Sequence, residues 1–171
     1  MSRLRFQVAP GLSSVAAGSV TELEAEAGHV AFIVDGDQGG HAITEKLLGA
    51  GVAAERILAL GQGDPARPLE VEDLVDIDVY VTAVNDELHS WQTVTEDVEA
   101  GSLATEMRTK ALQAWCESRG VDMPDKAAVA QRVVDASSEQ RIYDSAREEY
   151  LREVLAKVSA VLKLPTQRQT P

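Results

Sequence analysis

The sequence has little cysteine, few aromatic side chains and no long apolar run. Its single cysteine, Cys116, excludes an internal disulfide and a cysteine-rich zinc site. Aromatic residues make up 4% of a chain that is 44% hydrophobic, so aliphatic side chains must form most of the core. No apolar run approaches the roughly 20 residues that cross a bilayer, and the N-terminal segment lacks the apolar stretch of a signal peptide. We therefore expect a cytoplasmic protein with no membrane contact.

Basic residues are scarce in the first part of the chain. The net charge of the 171 residues is −12, and residues 1–100 hold 5 Lys and Arg against 18 Asp and Glu. Residues 101–171 are nearly balanced, with 11 basic and 10 acidic residues. An acidic surface repels phosphates, so the first part needs a divalent metal or a basic partner to approach DNA.

The first part of the chain has the pattern of an α/β protein. We predict strands over residues 3–9, 29–34 and 56–60, with helices over 12–27 and 41–50 between them. The near-continuous apolar run 29–34 is typical of a parallel strand covered on both faces. Helical crossovers between strands imply a parallel sheet, so we predict a three-layer α/β core.

The second part of the chain has helical periodicity almost throughout. We predict helices over residues 71–90, 102–119, 125–136 and 138–163, with Ser102 and Asp125 as N-caps and Gly120 and Pro165 as stops. The length of the chain fits one domain with an extension. We accordingly predict an α/β core over residues 1–95, an all-helical extension over 96–164 and a frayed tail over 165–171.

Acidic residues follow two of the predicted strands. Asp35 and Asp37 come directly after the strand 29–34, in the segment DGDQGG, and Glu72 and Asp73 follow the third strand and its loop. Sites in parallel sheets form at the carboxyl ends of strands, where carboxylates bind hard divalent cations. The competing interpretation is structural: aspartates cap helices, and acidic residues in a first helical turn favour the helix dipole.

A lysine near a helix start is the third candidate. Lys126, in PDKAAVAQRVV, opposes the preference of the helix dipole, which a nearby phosphate or carboxylate would offset. A solvated surface lysine is the alternative. The three histidines show no metal-ligand spacing, and there is no nucleophile elbow and no P-loop, so we expect no ATP site in this chain.

Several of these segments together resemble a known family. The segments VAFIVDGDQGG, EKLLGAGVAAERILAL and LEVEDLVDIDVYVTAVNDEL, followed by PDKAAVAQRVV, are similar to the Toprim (topoisomerase–primase) domain of OLD-family (overcoming lysogenization defect) ATP-dependent endonucleases. The resemblance covers roughly residues 4–136. It implies a Toprim-like, Rossmann-like parallel sheet and a metal-dependent DNA endonuclease, a hydrolase that is coupled to an ABC-type ATPase in full-length members.

The resemblance also implies roles for individual residues. Asp35 and Asp37 match the DxD metal ligands, and Glu72 and Asp73 match the acidic pair that completes a Mg²⁺ or Mn²⁺ site. Lys126 matches the lysine that stabilises the phosphate in the transition state. On this basis we expect catalytic roles for Asp35, Asp37 and Lys126, and DNA and an OLD-type ATPase chain or domain as partners.

The sequence departs from the family at its start. A Toprim domain opens with a strand that ends in Glu, whereas the segment RLRFQVA holds no acid. We therefore expect a truncated or split OLD-like protein with weak activity on its own, and an exposed sheet edge that favours a homo-oligomer. The alternative function is a non-catalytic Toprim remnant that binds a partner. A haloacid-dehalogenase-type enzyme fits less well, because Gly39 stands where that family has Thr or Val.

Overall fold

A short parallel sheet opens the part of the protein that the structure describes. The computed structural model describes residues 30–61, 68–105 and 107–162. Strand β1 (Phe32–Val34) leads through helix α1 (Gln38–Gly49) to strand β2 (Ile57–Ala59), and the strands pair in parallel from Phe32↔Ile57 to Val34↔Ala59. The predicted parallel pairing of the segments 29–34 and 56–60 is confirmed. The predicted strand 3–9 and helix 12–27 lie outside the described residues.

The two strands pack against α1 on one face. Phe32 and Val34 are buried with Leu47 and Ile57, whereas Ile33 is 42% exposed. Burial therefore alternates along β1, and the expectation of a strand covered on both faces is wrong for Ile33. Alternation follows from the pleat, because successive side chains lie on opposite faces and α1 covers only one of them.

The predicted helix 71–90 is two elements. A 3₁₀ helix, Val71–Leu74, is followed by extended backbone at Val75 and then by helix α2 (Ile77–Trp91). Asp76 caps α2 by accepting a hydrogen bond from the backbone N–H of Asp78, and Val75 forms an antiparallel bridge with Tyr143. The bridge to Tyr143 and the cap formed by Asp76 therefore interrupt a segment whose periodicity predicts a single helix.

The predicted helix 102–119 begins later than expected. Ser102 ends a 3₁₀ helix, Ala100–Ser102, and is not the N-cap of helix α3 (Arg108–Arg119). Met107 precedes α3 with φ of 64°, a left-handed conformation that no helix continues through. At the other end Gly120 has φ of 65° and stops α3, as predicted.

The last two helices follow the sequence more closely. Helix α4 (Lys126–Ala136) starts after Asp125, whose side chain accepts a hydrogen bond from Ala128 N–H, so the predicted cap is confirmed. The predicted helix 138–163 is shorter: a 3₁₀ helix, Ser145–Arg147, leads into helix α5 (Glu148–Val161). Pro165 lies outside the described residues.

Two apolar clusters hold the later helices together and pack them against the segments that follow β2. The larger one combines α2, α3 and α4 and includes Val84, Leu88, Leu112 and Trp115. The smaller one packs α5 on the segments after β2, where Tyr150 Oη accepts a hydrogen bond from Gly61 N–H at 2.8 Å.

The described chain is therefore mixed α/β and mostly helical, with a small parallel sheet. The finer Toprim-like assignment and the division at residue 95 stay predictions. None of the helices among the described residues is both long and apolar enough to span a membrane.

Candidate functional site

The loop after β1 is held against the segment that follows β2. Asp35 Oδ1 accepts a hydrogen bond from Val71 N–H at 2.9 Å, and Gly36 N–H donates to the carbonyl oxygen of Leu69 at 2.8 Å. A Cβ on Gly36 would lie 2.2 Å from the carbonyl oxygen of Leu60, so only glycine fits there without a shift. These contacts bring the two acidic segments to one edge of the sheet.

Asp37 serves as the N-cap of α1. Its Oδ1 accepts a hydrogen bond from Gly40 N–H at 2.7 Å, so the helix begins at Gln38, three residues before the predicted start. The backbone of Gly40 lies against Asp35, where a Cβ would come within 1.8 Å of the carbonyl oxygen. The glycines of DGDQGG therefore serve close packing of the loop, and the capping interpretation of Asp37 is borne out by its hydrogen bond.

Asp73 is buried and its carboxylate binds backbone N–H groups. Oδ2 accepts from Glu70 at 2.9 Å and from Met107 at 3.3 Å, and Oδ1 accepts from Arg108 at 3.2 Å. The residue is only 4% exposed. Asp73 thus ties the 3₁₀ helix Val71–Leu74 to the start of α3, and this geometry favours a structural role over the predicted metal ligation.

Glu72 and Lys126 form an ion pair across the site. Lys126 Nζ lies 3.1 Å from Glu72 Oε1, with the lysine side chain 58% exposed and the glutamate side chain 21% exposed. Lys126 is the first residue of α4, where the helix dipole disfavours a cation. The Glu72 carboxylate offsets that misfit, so the lysine that the sequence singles out does have a charged partner.

The charges of this site influence one another. Burial raises the pKa of the Asp35 carboxyl, and the negative charges of Glu72 and Asp37 raise it further. The hydrogen bond from Val71 N–H and the positive charge of Lys126 lower this pKa but do not cancel the rise. Partial burial is the largest single influence on Lys126 and disfavours its ammonium, but the carboxylates of Glu72, Glu70 and Asp35 together raise the pKa of the lysine. We call this group the acidic cluster; it comprises Asp35, Asp37, Glu72 and Lys126.

The acidic cluster has oxygen donors that suit a hard cation, but they do not form a coordination sphere. Over residues 30–61, 68–105 and 107–162, no three His, Cys, Asp or Glu side chains are close enough together to hold a metal ion. One oxygen of Asp35 and one of Asp37 bind N–H groups, and Glu72 binds Lys126. Cation binding therefore requires the side chains to rearrange.

Two further residues build the site, of which sequence reasoning noted Glu70 only as part of the acidic segment and missed Arg108. Glu70 Oε2 accepts a hydrogen bond from Thr109 N–H at 3.3 Å, and burial raises its pKa. Arg108 donates from Nη1 to the carbonyl oxygens of Glu72 and Val75. The acids at positions 70 and 73 have the spacing of an N-cap and its N3 partner, a signal that indicates the local turn. Nothing in the local pattern indicates Arg108.

We expect Asp35→Asn to stabilise the metal-free protein at neutral pH. A carboxyl whose pKa is raised by folding favours the folded state below its usual pKa and loses that contribution as the pH rises through the raised value. Asparagine carries no charge and keeps an oxygen for Val71 N–H. Urea unfolding in metal-free buffer from pH 3 to 7 should show a gain that grows with pH.

The matched control for this prediction is Asp86→Asn, which makes the same charge change on an exposed position of α2. That variant should show no comparable pH-dependent gain. Equal pH profiles for the two variants would show that the environment of Asp35 does not penalise its charge.

Comparisons with protein-family models, with curated proteins and with solved structures find no match to this chain. The site must therefore be interpreted from its own residues.

Proposed function

We propose that the chain is a Toprim-type domain whose acidic cluster binds Mg²⁺ or Mn²⁺ and acts in phosphodiester hydrolysis of DNA. The observation that carries this proposal is the meeting of three separate chain segments at one sheet edge. Asp35 binds the backbone of Val71, and Glu72 of the same short helix binds Lys126, the first residue of α4. This is the set of residue types that the Toprim resemblance assigns to the site.

Asp35, Asp37 and Glu72 are the ligands that we propose. Their carboxylate oxygens match the preference of Mg²⁺, and a bound cation would supply charge stabilisation and an activated water. We do not include Asp73 among the ligands, because its oxygens already accept hydrogen bonds from three N–H groups. Its role in this proposal is to hold in place the short helix that carries Glu72. The mutual repulsion of the carboxylates costs less when a cation is present, so binding should stabilise the fold.

Lys126 has two tasks in this proposal. Without a cation its ammonium neutralises Glu72 at 3.1 Å. When Glu72 turns to a cation, the ammonium is released and can bind a phosphate oxygen, as expected of a lysine that stabilises developing negative charge. The side chain is exposed enough to reach a ligand in solvent.

We expect Mg²⁺ or Mn²⁺ to raise the melting temperature of the wild-type chain, and Asp35→Asn to abolish that rise. Asp86→Asn is the control and should keep it. Plasmid nicking should be slow in the wild-type chain, be lost in Asp35→Asn and fall about 100-fold in Lys126→Gln. The same lysine variant should bind Mn²⁺ more tightly in calorimetry, because Glu72 loses its competing partner. Metal responses that are identical in wild type and Asp35→Asn would refute the proposal.

The alternative is a non-catalytic Toprim remnant that binds a partner. The observation that favours it is the closed arrangement of the cluster: Glu72 is paired with Lys126, and Asp37 is engaged as a helix cap. On this alternative, Lys126→Gln should lower stability slightly without changing Mn²⁺ affinity. Exposed ion pairs contribute about 0–1 kcal/mol, so the stability change alone is small.

A further inference from the structure

A cavity of about 300 Å³ lies beside the start of α3, and no residue of the acidic cluster lines it. Its lining includes two arginines, Arg108 and Arg147, and two aspartates, Asp73 and Asp144. The arginines come from α3 and from the 3₁₀ helix Ser145–Arg147, so the cavity joins segments nearly forty residues apart along the chain. Neither the proposed cation site nor the partner-binding alternative uses it.

Both arginines have donors to spare. Across the described ranges, no hydrogen bond or ion pair holds the guanidinium of Arg147. Arg108 is only 7% exposed, and its hydrogen bonds to Glu72 and Val75 both leave from Nη1, so Nε and Nη2 have no partner within the described part of the chain. Guanidinium groups carry forked donors that match oxyanions such as phosphate.

The two aspartates are already engaged by the backbone. Asp73 accepts from three N–H groups, and Asp144 Oδ1 accepts from Ala146 N–H at 2.9 Å. Both oxygens of Asp73 and one oxygen of Asp144 are therefore engaged by backbone N–H groups, whereas the arginine donors remain available. These free donors favour a ligand that is rich in acceptors, which describes an oxyanion rather than a cation.

We propose that this cavity binds a phosphate group through the guanidinium groups of Arg108 and Arg147. The 3₁₀ helix Val71–Leu74 supplies Asp73 to the cavity and Glu72 to the acidic cluster, so the two features are adjacent. The phosphate has two possible sources, a polynucleotide backbone or a small phosphomonoester. The inference does not depend on the proposed cation chemistry, since phosphate binding needs no divalent metal here.

Titration with inorganic phosphate in EDTA, at constant ionic strength, tests the site. The backbone amide signals of Ala104, Thr105 and Arg147 should shift saturably in a ¹H–¹⁵N spectrum. Arg147→Gln should weaken phosphate binding at least about tenfold, the loss of one charge-assisted hydrogen bond. Asp144→Asn should strengthen binding, because it removes a negative charge from the lining and keeps an oxygen for Ala146 N–H.

The matched control is Arg152→Gln, which makes the same charge change on α5 at an exposed pair with Glu148. It should leave phosphate affinity unchanged. Equal weakening by Arg147→Gln and Arg152→Gln, or no saturable shift with phosphate, would overturn the proposal.

A short DNA duplex in the same buffer separates the two sources. Binding of the duplex that depends on Arg147 and is tighter than that of phosphate supports a polynucleotide backbone. Phosphate binding with no duplex binding supports a small phosphomonoester. Because every arm contains EDTA, failure here is distinct from failure of the metal-dependent function, which Asp35→Asn reports.

Discussion

Asp73→Ala is expected to lower the free energy of unfolding by about 3–5 kcal/mol, because it leaves three backbone donors without an acceptor in a buried position. The N–H groups of Glu70, Met107 and Arg108 all donate to the Asp73 carboxylate. Asp73 is only 4% exposed, so the three donors lose a buried acceptor. Urea unfolding at pH 7 measures the loss.

Asp125→Ala is the matched control for the Asp73 experiment. Asp125 also accepts from a backbone N–H, but it is an exposed cap with one bond, whose loss costs about 1 kcal/mol. Repeating both measurements with Mg²⁺ separates structure from ligation, since a structural Asp73 gives the same loss with and without the cation. A loss no larger than that of Asp125→Ala would contradict the buried role of Asp73.

Gly40→Ala is expected to destabilise the fold by about 3 kcal/mol or more, and to disturb the acidic cluster. The new Cβ would lie 1.8 Å from the carbonyl oxygen of Asp35 and 2.6 Å from its carbonyl carbon. Backbone atoms cannot turn aside as a side chain does, so either α1 or the loop that carries Asp35 must move. The better helix propensity of alanine, about 1 kcal/mol, is too small to compensate.

Gly49→Ala tests the same substitution in the same helix without the clash. Gly49 is the last residue of α1, and a Cβ there meets nothing within 4 Å. Thermal unfolding should show that Gly49→Ala is neutral or more stable by up to about 1 kcal/mol. If Gly40→Ala were as stable as Gly49→Ala and kept the response to Mg²⁺, the close approach of α1 to Asp35 would be refuted.

Local patterns in the sequence determined most of the regular structure that the protein shows among its described residues. The apolar runs 29–34 and 56–60 contain the strands β1 and β2, which pair in parallel as predicted from the helix between them. Asp125 begins α4 through its carboxylate, and Gly120 ends α3 because glycine, without a Cβ, tolerates a positive φ. Propensity, periodicity and capping depend on residues within one or two turns, so a single sequence carries that information.

Contacts between distant segments decided the rest. The bond from Val71 to Asp35 spans 36 positions and that from Arg108 to Asp73 spans 35, and no local pattern encodes either. The sequence periodicity predicts one continuous helix over residues 71–90. The extended backbone at Val75, which forms a bridge with Tyr143, divides it into two elements.

The same limit applies to the functional residues. The sequence singled out Asp35, Glu72 and Lys126, but only the packing of α4 beside the short helix pairs Lys126 with Glu72. It also predicted a metal ligand at Asp73, whose carboxylate the fold engages with the N–H groups at the start of α3. The local sequence does not distinguish an acidic residue that binds a cation from one that caps a helix or stabilises a buried turn. The role depends on which donor the folded chain places beside the carboxylate.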